Sequence, residues 1–580
     1  MICRLAPYLQ HRVICFTRDV AVLRDERHIL FFIRTLTMMT DHDEERVIPG
    51  GGRMGWNGSV IGMVAVGLLG SIFSTNSHAI PAFSRQYGTS CSTCHWDFPK
   101  LNDFGKAFKD AGFKFPKDDE SFLKVPPIML GAPAQAELWP KVIYPGTIPG
   151  LPPISMRYNT FFQAVSGNRN NFNAQLPAGT PGTFIPRTDF QPGYFSIFTA
   201  GNFGGGIAFW ADDDISVGGA NSNGGLGDGY LKFYNLGRVL KLPTDSLNLR
   251  VGQFELDLPF SPARSWNLSG WDIFDEANIG VLNGLSPQQN VNNGFAFSNP
   301  AVGAEISGGY NYRGYHYSVA VVDQNTTGIS AAPLNISPAN GVGFVSDSNF
   351  KDLYGRFSYR FNLERDAANR NEVQAAGAAG PHDHTYLRLG TMYFYGRSVQ
   401  RFSGALSDGI TPAVITAREP FYRVGGDVDF NYRTFNLFGV YMAGRDQNLL
   451  PFTPAEGSLP TGFTASRAAT FNGGFLEADY LALPWIMTIM RWDRVGSTAD
   501  RVNALQFDPA NPPPSAYFSP YSATRNRFTP GIQFLIHANI KASFEYQIRP
   551  PQVVYNPATG EQLKGSFRTN SAVAGLEWAY

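Results

Sequence analysis

The chain has 580 residues and no net formal charge; only 16% of its residues are charged while 14% are aromatic, against roughly 25% charged in ordinary soluble domains. With a mean hydropathy of −0.16 and only four cysteines, this composition excludes a bundle of membrane helices, a basic nucleic-acid surface and a disulfide-stapled secreted fold. It fits a transmembrane β-barrel, in which apolar and polar residues alternate and cancel in any average.

Residues 1–53 mix eight Arg with seven acids and contain no Lys, and Gly50-Gly51-Gly52-Arg53 stands directly before Met54. Gly and Arg codons can spell a purine-rich ribosome-binding sequence, so 1–53 reads as a non-native upstream extension. Residues 54–79 read as a signal peptide. Their apolar run, Val60 to Phe73, is too short to span a bilayer, and it leads to a small-x-small cleavage pattern at Ser77-His78-Ala79.

Removing 1–79 leaves two cysteines, Cys91 and Cys94, in the run Cys91-Ser92-Thr93-Cys94-His95. C-x-x-C-H is the attachment signature of c-type haem: two thiols add across the vinyl groups and the adjacent His becomes the proximal iron ligand. A zinc site would need two further ligands nearby, and the closest other His is His78, inside the signal peptide. One covalent haem c on Cys91, Cys94 and His95 is therefore expected. Downstream, Leu101, Phe104, Gly105, Phe108 and Ala111 fall on one face at helical spacing, with Gly112 as a stop. That apolar face is expected to cover the haem. Met129, 34 residues after His95 and behind Pro126-Pro127, is the expected distal ligand. Met156, a remaining His, or an open iron position are the alternatives. His382 and His384 read as a solvated loop rather than a metal pair.

From residue 128 the period changes to two. In Ile540 to Arg549 every even position is apolar and every odd one polar, and Tyr422 to Arg433 follows the same rule. Segments of about ten residues, apolar outward and polar inward, separated by Gly- and Asn-rich loops, predict an all-β fold. The expectation is an outer-membrane β-barrel of about 16 antiparallel strands over 128–580, with residues 80–127 as a small helical haem plug. The last residues, Gly575, Leu576, Trp578 and Tyr580, resemble the terminal signal for outer-membrane assembly.

The stretch from Ala79 to Phe113 resembles the fused monohaem cytochrome–porins of iron-oxidising bacteria. The likeness rests on Pro81, Phe83, Arg85, Gln86 and Gly88 before the haem motif, and on Pro99, Leu101, Phe104, Gly105, Phe108, Lys109 and Gly112 after it. Lys106 stands where that pattern has Arg. The resemblance covers about 35 residues and implies an outer-membrane electron-transfer cytochrome. Such a protein takes electrons from extracellular Fe(II) and passes them to a periplasmic c-type cytochrome or another soluble carrier. No acid–base catalytic residue is needed, because the chemistry belongs to the cofactor. The competing functions are a solute porin with a structural or sensory haem, and a peroxidase-like haem enzyme. The partners expected are Fe(II), a soluble carrier and outer-membrane lipid; nucleic acid is not among them.

Overall fold

The computed structural model describes residues 82–97, 99–115, 128–129, 137–138, 147–148, 154–165, 188–191, 193–204, 206–216, 225–261, 267–275, 282–283, 291–292, 300–323, 336–337, 341–342, 350–363, 384–405, 412–452, 462–498, 524–549 and 570–580. The expected extension 1–53 and the expected signal peptide 54–79 lie outside these residues.

The described strands close into one antiparallel barrel. In chain order they are β1 (Ile154–Val165), β2 (Thr188–Gln191 with Tyr194–Gly204), β3 (Ile207–Ser216), β4 (Gly225–Phe233), β5 (Asn248–Phe254), β6 (Ala301–Gly309), β7 (Gly314–Asp323) and β8 (Asp352–Asn362). The second half comprises β9 (Thr385–Ala405), β10 (Pro412–Tyr432), β11 (Phe435–Phe452), β12 (Gly462–Leu483), β13 (Ile486–Ser497), β14 (Thr524–His537), β15 (Ile540–Gln547) and β16 (Ser571–Ala579). The two pieces of β2 pair with successive parts of β1 and so count as one strand. Sixteen strands result. Closure joins β16 to β1, from Ser571 opposite Val165 to Ala579 opposite Arg157. Beyond it, Tyr580 and Met156 exchange backbone hydrogen bonds of 2.7 and 2.8 Å.

Alternation decides which residue meets lipid. Along β7, Tyr315, Val319 and Val321 are 43–48% exposed, whereas Ser318, Ala320 and Val322 are at most 1% exposed. In β10 the odd residues Arg423, Asp427, Asp429 and Asn431 are buried inward, and Tyr422, Val424 and Tyr432 face out. A lipid-embedded sheet must pair every backbone donor and acceptor, which only a closed barrel achieves. With its apolar outer face and charged lumen, this is a porin-like barrel of the bacterial outer membrane. No helix among the described residues is long and apolar enough to cross a membrane; the strands do the crossing.

The two ends differ. At one end five connections, after β2, β6, β10, β12 and β14, are two to four residues long, and those after β4 and β8 are 14 and 22. Those at the other end run from six residues, after β9, to 46, after β5. Short turns face the periplasm in such barrels and long loops face outward. Strands β9 to β12 have 18–22 residues, whereas β3 to β8 have 7–11.

The barrel begins later than the sequence suggests. Ile128–Met129 pairs with Thr147–Ile148 in a separate two-residue ladder, and the first barrel strand starts at Ile154. Eight prolines between 126 and 153 explain this, since each removes a donor from a continuous ladder.

A charge on the outer face should be far costlier than one in the lumen. Val319→Arg is expected to cost about 2–4 kcal/mol if it lies near the bilayer midplane. Urea titration in lipid vesicles, followed by the gel-mobility shift between folded and unfolded barrel, measures it; Ala320→Ser, facing the lumen, is the comparison.

Candidate functional site

Residues 82–115 fold into a small unit seated in the short-turn end of the barrel. Helix α1 (Ala82–Tyr87) leads to a tight 3-10 turn at Cys91–Thr93. A minimal hairpin follows, His95–Asp97 against Lys100–Leu101, and then helix α2 (Asp103–Asp110). The predicted helix is therefore shorter than its apolar pattern: Leu101 belongs to the hairpin, because Asn102 caps the helix. The Asn102 Oδ1 accepts from the Gly105 N–H at 2.9 Å, and its Nδ2 donates to the Ser92 and Thr93 carbonyls, both at 3.1 Å. One side chain thus starts the helix and binds it to the cysteine turn. Gly105 makes that approach possible, since a Cβ there would lie 2.1 Å from the Cys94 carbonyl oxygen.

Cys91, Cys94 and His95 come together as their spacing predicts. Neither cysteine is in a disulfide. Burial pushes the Cys94 thiol up to about 12, with Cys91 adding to it, and also raises Cys91, against the hydrogen bond from Ser84. Both are therefore thiols, the form whose S–H adds across a vinyl group. Burial pulls His95 down to about 4, outweighing its hydrogen bonds to the Pro99 and Lys100 backbone, so the imidazole is neutral. Its Nδ1 lies 3.0 Å from the Pro99 carbonyl oxygen. Donation from Nδ1 puts the ring lone pair on Nε2, and such a second hydrogen bond fixes tautomer and orientation in metal-ligating histidines. Around the turn, Phe83, Tyr87, Phe104, Phe108, Phe113 and Phe115 pack at centroid distances of 4.5–6.4 Å, an apolar lining that adjoins Ala200, Ala208 and Trp210 of the wall. Two thiols, a neutral oriented imidazole and an aromatic lining fit a covalent haem.

Of the distal candidates, Met129 lies in the separate two-residue ladder, and its side chain is outside the described residues. Met156 is in β1. Its neighbours point inward: the Ser155 Oγ accepts from the Ala82 N–H at 2.8 Å, and Arg157 pairs with Glu577 at 2.8 Å. Alternation therefore turns Met156 outward, away from the plug. His382 lies outside the described residues. His384 is no solvated loop residue: it is 8% exposed and its Nδ1 is 3.8 Å from Asp103 Oδ2.

The polar face of α2 meets the wall rather than water. Arg360 on β8 donates to both carboxylate oxygens of Asp103, at 2.7 and 2.6 Å. Lys106 donates to the Tyr386 hydroxyl at 3.5 Å, and Asp110 accepts from the Asn311 backbone and side chain, each at 3.0 Å. Burial alone would raise the Asp103 carboxyl; Arg360, Lys106 and His384 outweigh it and hold the group well below the usual carboxylate range. Arg360 is a functional residue that sequence reading missed. Alternation marks it as inward-facing, but nothing in the sequence names its partner.

A second insertion crosses the lumen. The segment after β5 folds inward and carries a short helix, α3 (Asp272–Asp275). Asn267 and the Trp271 indole N–H donate to Glu477 on β12 at 2.7–2.9 Å. The Leu268 N–H donates to Glu545 on β15 at 2.6 Å, and Arg491 on β13 donates to the Ser269 carbonyl at 2.8 Å. Between this strap and the plug is a cavity of about 250 Å³, lined by Lys106, Lys232, Arg250, Asp257, His316 and Arg388 among others.

No protein-family model matches the sequence, and no curated protein sequence matches it. Solved structures similar in architecture are porins. The outer membrane channel DcaP of Acinetobacter baumannii is 9% identical, with 74% of this chain and 96% of that one covered and a TM-score of 0.39. Pseudomonas putida OprB is 11% identical, with 77% and 96% covered and a TM-score of 0.40. Salmonella typhi OmpF, solved with daunomycin, is 9% identical, with 74% and 97% covered and a TM-score of 0.40. The barrel's own closure and outer face carry its assignment to the outer membrane.

Three outcomes follow for the plug. Gly105→Ala should force α2 off the cysteine turn at a cost of about 1–3 kcal/mol, read as faster proteolysis between residues 82 and 115. Arg360→Ala should cost about 3–5 kcal/mol of plug docking, because it strands a buried carboxylate. The folded value of Asp103 lies below its ordinary 3.8, so the pair's contribution is complete above that ordinary value and is lost as pH falls through the folded value. Protease access to the plug in the wild type should accordingly stay flat down to about pH 4 and rise in stronger acid.

Proposed function

We propose that this protein is an outer-membrane electron-transfer cytochrome, carrying one covalent haem c that takes electrons from extracellular Fe(II) and passes them to a soluble periplasmic carrier such as a c-type cytochrome. The observation that carries this is the Cys91-Cys94-His95 turn, with its neutral, oriented imidazole, held inside the short-turn end of a barrel. Cys91 and Cys94 would form the thioethers and His95 Nε2 would bind the iron. When bound, the haem supplies reversible one-electron transfer: each Fe(II) gives up one electron and leaves as Fe(III). The chain's own part is to bury the group among the plug aromatics, fix the His95 ring through Pro99, and hold the plug against the wall through Asp103 and Arg360. Seating at the short-turn end brings the plug to the side where a soluble periplasmic carrier would collect the electron.

A solute channel is less well served by this architecture, because plug and strap both occupy the lumen. Met129 is the proposed distal ligand. It follows the plug by a short stretch of chain and is not committed to the barrel ladder.

Haem staining of a denaturing gel should label the wild type and not Cys91→Ala/Cys94→Ala; an unstained wild-type band overturns the proposal. Fe(II) added to the folded, haem-loaded protein should reduce the haem in a difference spectrum. Met129→Ala should abolish a Met–iron charge-transfer band in near-infrared magnetic circular dichroism and lower the midpoint potential, since thioether ligation raises it. An unchanged spectrum removes Met129.

A further inference from the structure

Lys100 leaves the plug hairpin and enters the wall. Its Nζ donates to the Asn436 Oδ1 and stands 3.7 Å from the Asp479 carboxylate. It also lies over the rings of Phe438 and Trp96, at 4.4 and 5.5 Å from their centroids. Asn436 and Asp479 are direct register partners across β11 and β12, and both are fully buried. The wall itself braces Asn436, whose Nδ2 donates to the Asp429 carboxylate at 2.8 Å and to the Phe430 carbonyl at 3.1 Å. On the plug side, Lys100 follows Pro99, whose carbonyl accepts from His95 Nδ1. In the same hairpin His95 is paired with Leu101 and Asp97 with Lys100. A continuous set of contacts therefore runs from two wall residues through one lysine to the carbonyl that orients the imidazole.

We propose that Lys100 is a positioning residue for His95, and that Asn436 and Asp479 of the barrel wall hold it there. The barrel then does more than house the plug: it sets the strength of the His95–Pro99 hydrogen bond. That bond raises the basicity of a ligating imidazole and so favours the ferric state. Loosening the clamp should weaken the bond and raise the midpoint potential. This inference rests on the haem reading above.

The test is spectroelectrochemical titration of the full-length haem-loaded protein. Removing the lysine cation also acts through space, Lys100→Met by itself pulling the potential down. The double variant Lys100→Met/Asp479→Asn removes both ends of the contact, and Asn436→Leu alters no titratable group, so a shift shared by the two reports position. An upward shift in the double variant is expected, as is one in Asn436→Leu, which removes the acceptor without changing charge. Lys100→Arg, which keeps the cation, should stay near the wild type. A double variant and Asn436→Leu both at the wild-type potential would overturn the proposal and leave only through-space charge effects. Haem staining and the folded-barrel gel shift are read first on every variant. Absence of stain in the wild type defeats the haem reading itself, and this inference with it, before any potential is measured. A double variant that fails to fold leaves the decision to Asn436→Leu.

Discussion

In the hydrocarbon of a bilayer no water is available to an unpaired N–H or C=O, and each one costs several kcal/mol. That constraint closes β16 onto β1 and turns the alternation of every strand into a choice between lipid and lumen. Polar side chains that cannot face lipid accumulate inside, where they must be paired. Arg356 with Asp427, Arg423 with Asp446, and Arg491 and Arg527 with Asp493 are such pairs, each residue nearly inaccessible. Breaking a buried pair is costlier than never having made one, so the lumen wall acts as a stiff, ordered surface.

Plug and strap are held by that surface through the same kind of contact. Glu477, Glu545 and Arg491 take strap backbone and side chains; Arg360 and Asn311 take α2. Each insertion is too small to bury a large core of its own, and both borrow order from the wall. Strap aromatics add to this: Trp271 stacks on Phe475 at 4.6 Å and Phe260 lies 4.5 Å from Phe438, contacts worth about 0.5–1.5 kcal/mol each beyond area burial.

The period-two pattern made the barrel legible, because lipid imposes alternation residue by residue: Ile540 to Gln547 reads from the sequence as it stands in β15. Local chemistry was legible too, since Cys91, Cys94 and His95 need only a tight turn to meet. What could not be read were partners hundreds of residues apart. Asp103 falls off the apolar stripe of its helix, yet it is buried because Arg360 waits 257 positions later. His384 looked solvated for the same reason. The strap carries no periodic signal; its Trp271 and Asp272 are placed by wall carboxylates and arginines that only the barrel's curvature brings opposite them. The late start at Ile154 was available in principle, from the density of prolines ahead of it.

The unequal strands shape the outward rim. A strand of 21 residues such as β9 is about 70 Å long at about 3.3 Å per residue. Tilted by about 40°, it rises about 50 Å along the membrane normal, twice the apolar band of about 25 Å. Strands β9 to β12 therefore stand as a parapet well clear of the bilayer, while β3 to β8 end near its surface. In its strands the mouth is thus cut obliquely, a sheltered porch with one high wall.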